Sequence, residues 1–484
     1  MPVLHYYADG KLHPMNVQRP EHLTAARPKG AGGGARSGRG AMAPMVREVQ
    51  HAIHAQSTRL APLFHNVAES SVRIVAPKGG GPVMIPTETV VIDRATKAGL
   101  KWLRDRFGLE LVREGRYGKA LLRSPEGGDA GIRLAFEAAK AFYERGHIGA
   151  AHPNFVRVMR QIGPSAPGGE PLWNHHNDGE PGVPGADVAA LAAWTITRGA
   201  SKVRVAVLDE GVDTRHPALQ PAVVAEADFV DSNPHARPDG DDAHGTACAG
   251  IIVSRDNQYP GLATNCSLVA VRIAKGDGAD GWVFDDFQTA DAIDWAWEEG
   301  KADVLSNSWG GGPSVDVITR AFERARTRGR DGKGAVVVIA AGNSNGPVSY
   351  PGTLPNVITV GASNPWDERK SPQSRDGETR WGSCFGPSLD LLAPGVRIAT
   401  TDIQGPAGYS NGNFTLTFNG TSSATPHVAA AAALILSVVP GSNERRVREV
   451  INATADRLTP SGTWNRYVGW GRLNLIAALR LARR

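Results

Sequence analysis

The chain has 484 residues, 41% of them hydrophobic and 21% charged, with a formal net charge of +5. That is enough chain for more than one domain and enough apolar content for a large core, while so small a positive excess argues against a nucleic-acid enzyme. Three cysteines, Cys248, Cys266 and Cys384, cannot all pair, and their scarcity agrees with a reducing compartment or with indifference to redox state.

Residues 1–84 read as a flexible basic N-terminal region, because the Gly- and Arg-rich run over 29–40 has little to bury. No apolar leader core follows Met1, and the longest apolar run, 428–439, is too short to span a bilayer, so the expectation is a cytoplasmic protein with no membrane partner. From 85 to 160 the pattern becomes compact. A strand over 89–92, an amphipathic helix over 94–107, a hairpin of 109–112 with 119–122, a second helix over 130–145 and a strand over 155–159 give the order βαββαβ. That is a small α+β, ferredoxin-like domain. Residues 161–172 are rich in Gly and Pro and read as a linker.

In the segment 173–484, apolar runs over 203–208, 268–273, 304–308, 336–341 and 357–360 interleave with helical patterns over 289–299 and 315–328. The alternation predicts an α/β fold, a mostly parallel central sheet covered by helices in three layers. Asp209 follows the first of these strands, at the edge of an open α/β sheet where catalytic groups gather. His244 opens a helix of small residues. Ser422 stands two residues after Gly420 and just before an alanine-rich apolar run, where a helix N-terminus offers main-chain N–H groups to developing negative charge. Gly420 allows the tight turn, and Pro426 suits a first helical turn. Ser422 alone would pass for an ordinary helix cap. With a base and an orienting carboxylate supplied by His244 and Asp209, it reads as a nucleophile.

The blocks Leu208-Asp209-Glu210-Gly211-Val212-Asp213, His244-Gly245-Thr246 and Gly420-Thr421-Ser422-Ser423-Ala424-Thr425-Pro426, in that order, resemble the three signature blocks of the subtilase family of serine peptidases, peptidase family S8. The resemblance covers about residues 170–484. It implies a subtilisin-like fold and a serine endopeptidase working through an acyl-enzyme, with Ser422, His244 and Asp209 as the triad. Asn343, after the strand 336–341, matches the family's oxyanion asparagine. Ser308, Trp309 and Gly310 match the segment that pairs with an extended peptide substrate, although Trp309 reads equally well as packing. Glu210 places an acid directly after Asp209, as kexin-like members do, and would favour a basic residue beside the scissile position. The run Gly311-Gly312-Pro313-Ser314 lacks the acids of strict dibasic enzymes.

The resemblance further implies an inhibitory propeptide over 85–160 as the chain's own partner, autoprocessing within the linker 161–172, a peptidase domain over 173–484 and peptide or protein substrates. No cofactor is implied for catalysis. The acid that binds calcium in many relatives is Ala218 here, so the metal ligands stay unassigned; the acidic runs at Asp239, Asp241, Asp242 and at Asp277, Asp280, Asp285, Asp286 hold a cation or are solvated. Cys248 is a thiol near the site or a packing residue. Two alternatives remain: a latent intracellular processing or defence protease that retains its N-terminal domain as a regulator, and a non-catalytic binding protein on the same fold. The short run after 469–474 predicts no C-terminal accessory domain.

Overall fold

The structure, a computed structural model, describes residues 3–8, 10–15, 63–64, 83–147, 149–160, 172–276, 281–459 and 461–484. The run 29–40, Asp277, Asp280 and all of the 161–172 linker except Leu172 lie outside the described residues. The chain forms two compact units, one of residues 1–160 with 276–289 and 312–318, the other of the rest.

In the first unit a hairpin, β1 (Leu4–Ala8) and β2 (Lys11–Met15), precedes β3 (Val83–Asp93), α1 (Lys97–Phe107), β4 (Glu110–Glu114), β5 (Ala120–Arg123), α2 (Gly128–Glu144) and β6 (Ala150–Arg160). The βαββαβ order is the one expected. Thr96 caps α1 by accepting the Gly99 N–H at 3.0 Å, and Gly108 ends it in a left-handed conformation. Helix α2 buries Ile132, Ala135, Phe136, Ala139 and Phe142, one stripe at helical spacing, on the sheet. Strands β3 and β6 each begin about five residues earlier than the apolar runs suggest. Pro86 and Pro153 interrupt those runs, and the ladder accommodates them where its register shifts between Pro86 and Val90. The hairpin corrects the reading of 1–84 as flexible throughout. Tyr6 is fully buried with its hydroxyl donating to the Ser314 carbonyl, and Tyr7 stacks on Tyr143 at 4.1 Å. Alternation over two five-residue strands was the missed signal.

The second unit begins with α3 (Ala190–Trp194), β7 (Arg204–Asp209), β8 (Val223–Asp228), α4 (His244–Val253) and β9 (Ser267–Arg272). Next in the chain come two strands that extend the first unit's sheet, β10 (Lys275–Gly276) and β11 (Gly281–Asp285). There follow α5 (Asp286–Glu298), β12 (Val304–Asn307), α6 (Asp316–Arg328), β13 (Val336–Ala340), β14 (Ile358–Ser363), β15 (Leu391–Pro394), the pair β16 (Ile398–Thr401) and β17 (Phe414–Phe418), α7 (Thr421–Val438), α8 (Glu444–Thr454) and α9 (Leu475–Ala482). The main sheet is parallel, in the order β15-β14-β13-β12-β7-β9-β8. Its winding reverses between β7 and β12, so the carboxyl ends of those strands open a crevice at the switch point. Helix α7 packs against β12 to β15 and α4. It is long and apolar enough to cross a membrane but is 89% buried, as a core helix hydrophobic on every side must be.

Two buried polar arrangements hold loops around the sheet. Lys370 is fully buried, and its Nζ donates to the carbonyls of Ser371 (2.7 Å) and Glu378 and to Ser374 Oγ (3.2 Å), with Asp376 Oδ1 at 3.0 Å and the Trp381 ring at 5.2 Å. This ammonium ties down the loop over 371–381. The residues that follow buttress 343–345: Gly382 accepts the Asn345 N–H at 2.7 Å, and Arg369 bridges Asn345 Oδ1 and the Ser383 carbonyl. Under α7, His427 donates from Nδ1 to the Ser423 carbonyl and accepts at Nε2 from Asn174 Nδ2, both at 2.8 Å. Burial drives the pKa of His427 down to about 4; burial, then His427 and Arg198, drive that of His175 down to about 3.

Replacing Lys370 with Met should cost about 3–5 kcal/mol of unfolding free energy by stranding the Asp376 carboxylate, whereas the same change at exposed Lys101 should be near neutral; urea titration reads both. Because both histidines are neutral in the fold and ordinary at about 6.5 when unfolded, the stability they contribute is complete above that pH and lost as pH falls toward 4. Urea midpoints at pH 7, 5.5 and 4 in a Ser422→Ala background should decline accordingly, and His427→Gln should remove about one proton's share of the slope.

Candidate active site

Asp209 ends β7 and Glu210 follows it, while His244 is the first residue of α4. The two elements meet closely because Gly245 has no side chain: a Cβ there would lie 2.1 Å from the Gly211 carbonyl and 2.9 Å from Asp209 Cβ. His244 Nδ1 therefore reaches Asp209 Oδ1 at 2.8 Å. A carboxylate only accepts, so Nδ1 carries the proton and Nε2 is the ring's acceptor. Burial opposes charging of the imidazole, but the Asp209 carboxylate outweighs it and the net pKa is raised. The ring sits edge-on to Phe418 at 5.4 Å.

Ser422 is the second residue of α7, so its main-chain N–H has no acceptor within the helix. Gly420, with φ of 112°, makes the turn before it. Pro426 is not in the first helical turn, contrary to the sequence reading; it lies inside the helix. There it removes the N–H that would bond the Ser422 carbonyl four residues back. That carbonyl instead accepts the Ser308 hydroxyl at 2.9 Å and the Cys248 thiol at 3.6 Å. In return the Ser422 hydroxyl donates to the Ser308 carbonyl at 3.2 Å. The end of β12 and the start of α7 are thus joined by a reciprocal pair.

Asn343 follows β13, and its Oδ1 accepts both the main-chain N–H (2.8 Å) and the hydroxyl (2.9 Å) of Thr421. Two donors on one oxygen decide the amide's orientation and turn its NH2 group away from Thr421. A Cβ built on Gly420 would lie 3.4 Å from both Asn343 Nδ2 and the Ser422 nitrogen, so the two donors flank one spot. Thr421 is a positioning residue that the sequence reading passed over although it adjoins Ser422.

One expectation needs correction and others are narrowed. Glu210 is fully buried, and its Oε1 accepts the His244 main-chain N–H at 2.7 Å, so it faces the helix and does not line a substrate pocket. Trp309 is 3% exposed and stacks on Phe322, so of its two readings the structure favours packing; Ser308 is buried as well and Gly310 is half-buried. Of the acidic runs, Asp239 pairs with Lys275 at 2.5 Å, Asp242 faces Arg272 and Asp286 pairs with Arg157 at 2.6 Å, while Asp285 accepts the Gln288 N–H at 3.0 Å and Asp241 is exposed to solvent. At Ala218 there is no side-chain oxygen, and its carbonyl already accepts the Arg255 N–H at 2.9 Å, so that position does not fit calcium. Cys248 is completely buried and burial pushes its thiol pKa well up, which favours the packing role over a reactive thiol.

The model of the subtilase family, Peptidase S8, matches residues 200–471, more than half of the chain. A calcium-dependent protease from Nostoc sp. is 30% identical over 425 residues, covering 78% of this chain and 60% of that protein. Subtilisin E of Bacillus subtilis is 36% identical over 287 residues, covering 57% of this chain and 66% of that protein. The chain thus spans less than two thirds of the length of these relatives. Fervidolysin from Fervidobacterium pennivorans, a keratinolytic enzyme related to subtilisin, superposes with a TM-score of 0.64 over 84% of this chain and 62% of its own, at 22% identity, a likeness of fold. The family match over the segment that carries the aspartate, histidine, asparagine and serine blocks establishes that this chain belongs to the subtilase family, peptidase family S8.

Proposed function

We propose that the chain is a serine endopeptidase. The observation that carries this reading is the Asp209–His244 hydrogen bond, which fixes the imidazole with Nε2 as the base. On substrate binding the Ser422 hydroxyl exchanges the Ser308 carbonyl for His244 Nε2 and attacks the scissile carbonyl carbon as its proton passes to the ring. Asp209 stabilises the imidazolium. The oxyanion lies between Asn343 Nδ2 and the Ser422 N–H, donors held in place before the reaction begins. His244 returns the proton to the leaving amine, and a water molecule, activated by the same ring, releases the acyl group.

Residues 85–160 are, in the same proposal, a propeptide-type domain. Its support is the antiparallel pairing of β6 with β11, in which Arg157 opposes Phe284, and the buried ion pair of Arg157 with Asp286, backed by the Pro313 carbonyl. The strand that ends this domain thereby leads directly into the 161–172 linker, the proposed site of autoprocessing. The depth of Arg157, 1% exposed, favours as a second reading a domain that stays associated and keeps the enzyme latent.

Intact mass of the purified chain beside Ser422→Ala should show the wild type cut within 161–172 and the variant whole. If both stay whole while the wild type hydrolyses peptides only after a partner or denaturant is supplied, the retained-regulator reading stands instead. Asn343→Ala should lower kcat about 100- to 1000-fold with little change in KM, measured on a peptide nitroanilide.

A further inference from the structure

We propose that Glu210 is a positioning residue for His244, setting where the imidazole stands by holding the first turn of its helix. Helix α4 begins at His244 after Ala243, which offers no side-chain hydrogen bond to the opening turn. Such a start leaves main-chain N–H groups unsatisfied, and burial makes that costly. Glu210 Oε1 supplies the missing acceptor from another element, at 2.7 Å from the His244 nitrogen. Its negative or dipolar oxygen at a helix N-terminus is favourable in addition.

The placement of Glu210 is itself over-determined. Its N–H donates to Asp209 Oδ1 at 2.9 Å, its carbonyl accepts Arg272 Nε at 3.2 Å, and its side chain is completely buried. Arg272 is in turn anchored by Asp228 and Asp231. Consecutive residues at the end of one strand point to opposite sides, yet both of these reach the same histidine: Asp209 takes the ring and Glu210 the main chain. The carboxylate that orients the base and the carboxyl group that orients the base's backbone are therefore one rigid unit. Thr246 adds a third tie by accepting the Asp213 N–H at 2.9 Å. Burial, then Asp242, holds the Glu210 carboxyl well above the usual carboxylate range, so an uncharged amide can take its place.

This inference rests on the reading of Ser422, His244 and Asp209 as a peptidase triad, and its test separates the two. The full-length wild type, Glu210→Ala and Glu210→Gln are compared for labelling by a serine-directed fluorophosphonate, for thermal unfolding, and for kcat and KM on peptide nitroanilides. One substrate series carries Lys or Arg, and a matched series Ala or Leu, beside the residue at the scissile bond. The expected result is a fall in kcat of about 100-fold for Glu210→Ala, equal in both series, with KM within about twofold, since a misplacement of the base on the ångström scale has that effect. Glu210→Gln, whose amide oxygen can accept the same N–H, should recover at least about tenfold of the loss, and does so even if the alanine variant folds poorly. Unchanged kcat in Glu210→Ala, or a KM increase confined to the basic series, would overturn the proposal, the latter result returning Glu210 to a substrate-contact role. A wild type that neither labels nor cleaves even after the partner or denaturant treatment that relieves latency would remove the peptidase reading and this inference together.

Discussion

The close approach of a strand end to a helix start is the constraint on which the rest of the site depends. Asp209 and His244 are 35 residues apart in sequence, and their 2.8 Å hydrogen bond exists only because Gly245 lets α4 settle on the loop after β7. Any side chain at Gly245 would enter the Gly211 carbonyl, and His244 would lose its hydrogen bond to Asp209. The reciprocal pair between Ser308 and Ser422 plays the same part on the other side of the switch point, joining β12 to α7. Both contacts connect parallel strands to helices on which the reacting groups sit, so the sheet acts as a common reference for groups drawn from distant parts of the chain.

A proline inside a buried helix would ordinarily be a liability. In α7 the hydrogen bond it deletes is the one that would have occupied the Ser422 carbonyl, and the freed oxygen receives the Ser308 and Cys248 donors. The same economy governs the charges. Lys370, Arg157, Arg272 and Arg324 are almost entirely buried, and each is matched by carboxylates or carbonyl oxygens within hydrogen-bond reach. In such pairs desolvation offsets much of the attraction, while breaking one leaves a buried charge without its partner. The 371–381 loop is organised in this way around Lys370.

Much of the fold was legible. Uniform apolar runs marked β7, β9, β12, β13 and β14 because a parallel sheet is buried on both faces and leaves no alternation to misread. The βαββαβ order of the first unit could be read from periodicity, with the largest boundary errors where Pro86 and Pro153 interrupted it. The N-terminal hairpin was missed because two five-residue strands beside a glycine-rich tract carry little statistical weight, whereas the burial of Tyr6 depends on partners more than a hundred residues away.

By itself the sequence determined which groups the proposed site offers and in what order, since an aspartate after an apolar strand, a histidine opening a small-residue helix and a serine after Gly420 are local patterns that also match the family's signature blocks. Only the tertiary structure decided where the side chains point. Glu210 turns to the His244 N–H, Asn343 to Thr421 and Trp309 to Phe322, and in each case the deciding partner lies in a segment remote in sequence. A rotamer is chosen by the donor, acceptor or apolar surface that happens to be buried beside it, and no local pattern encodes that neighbour.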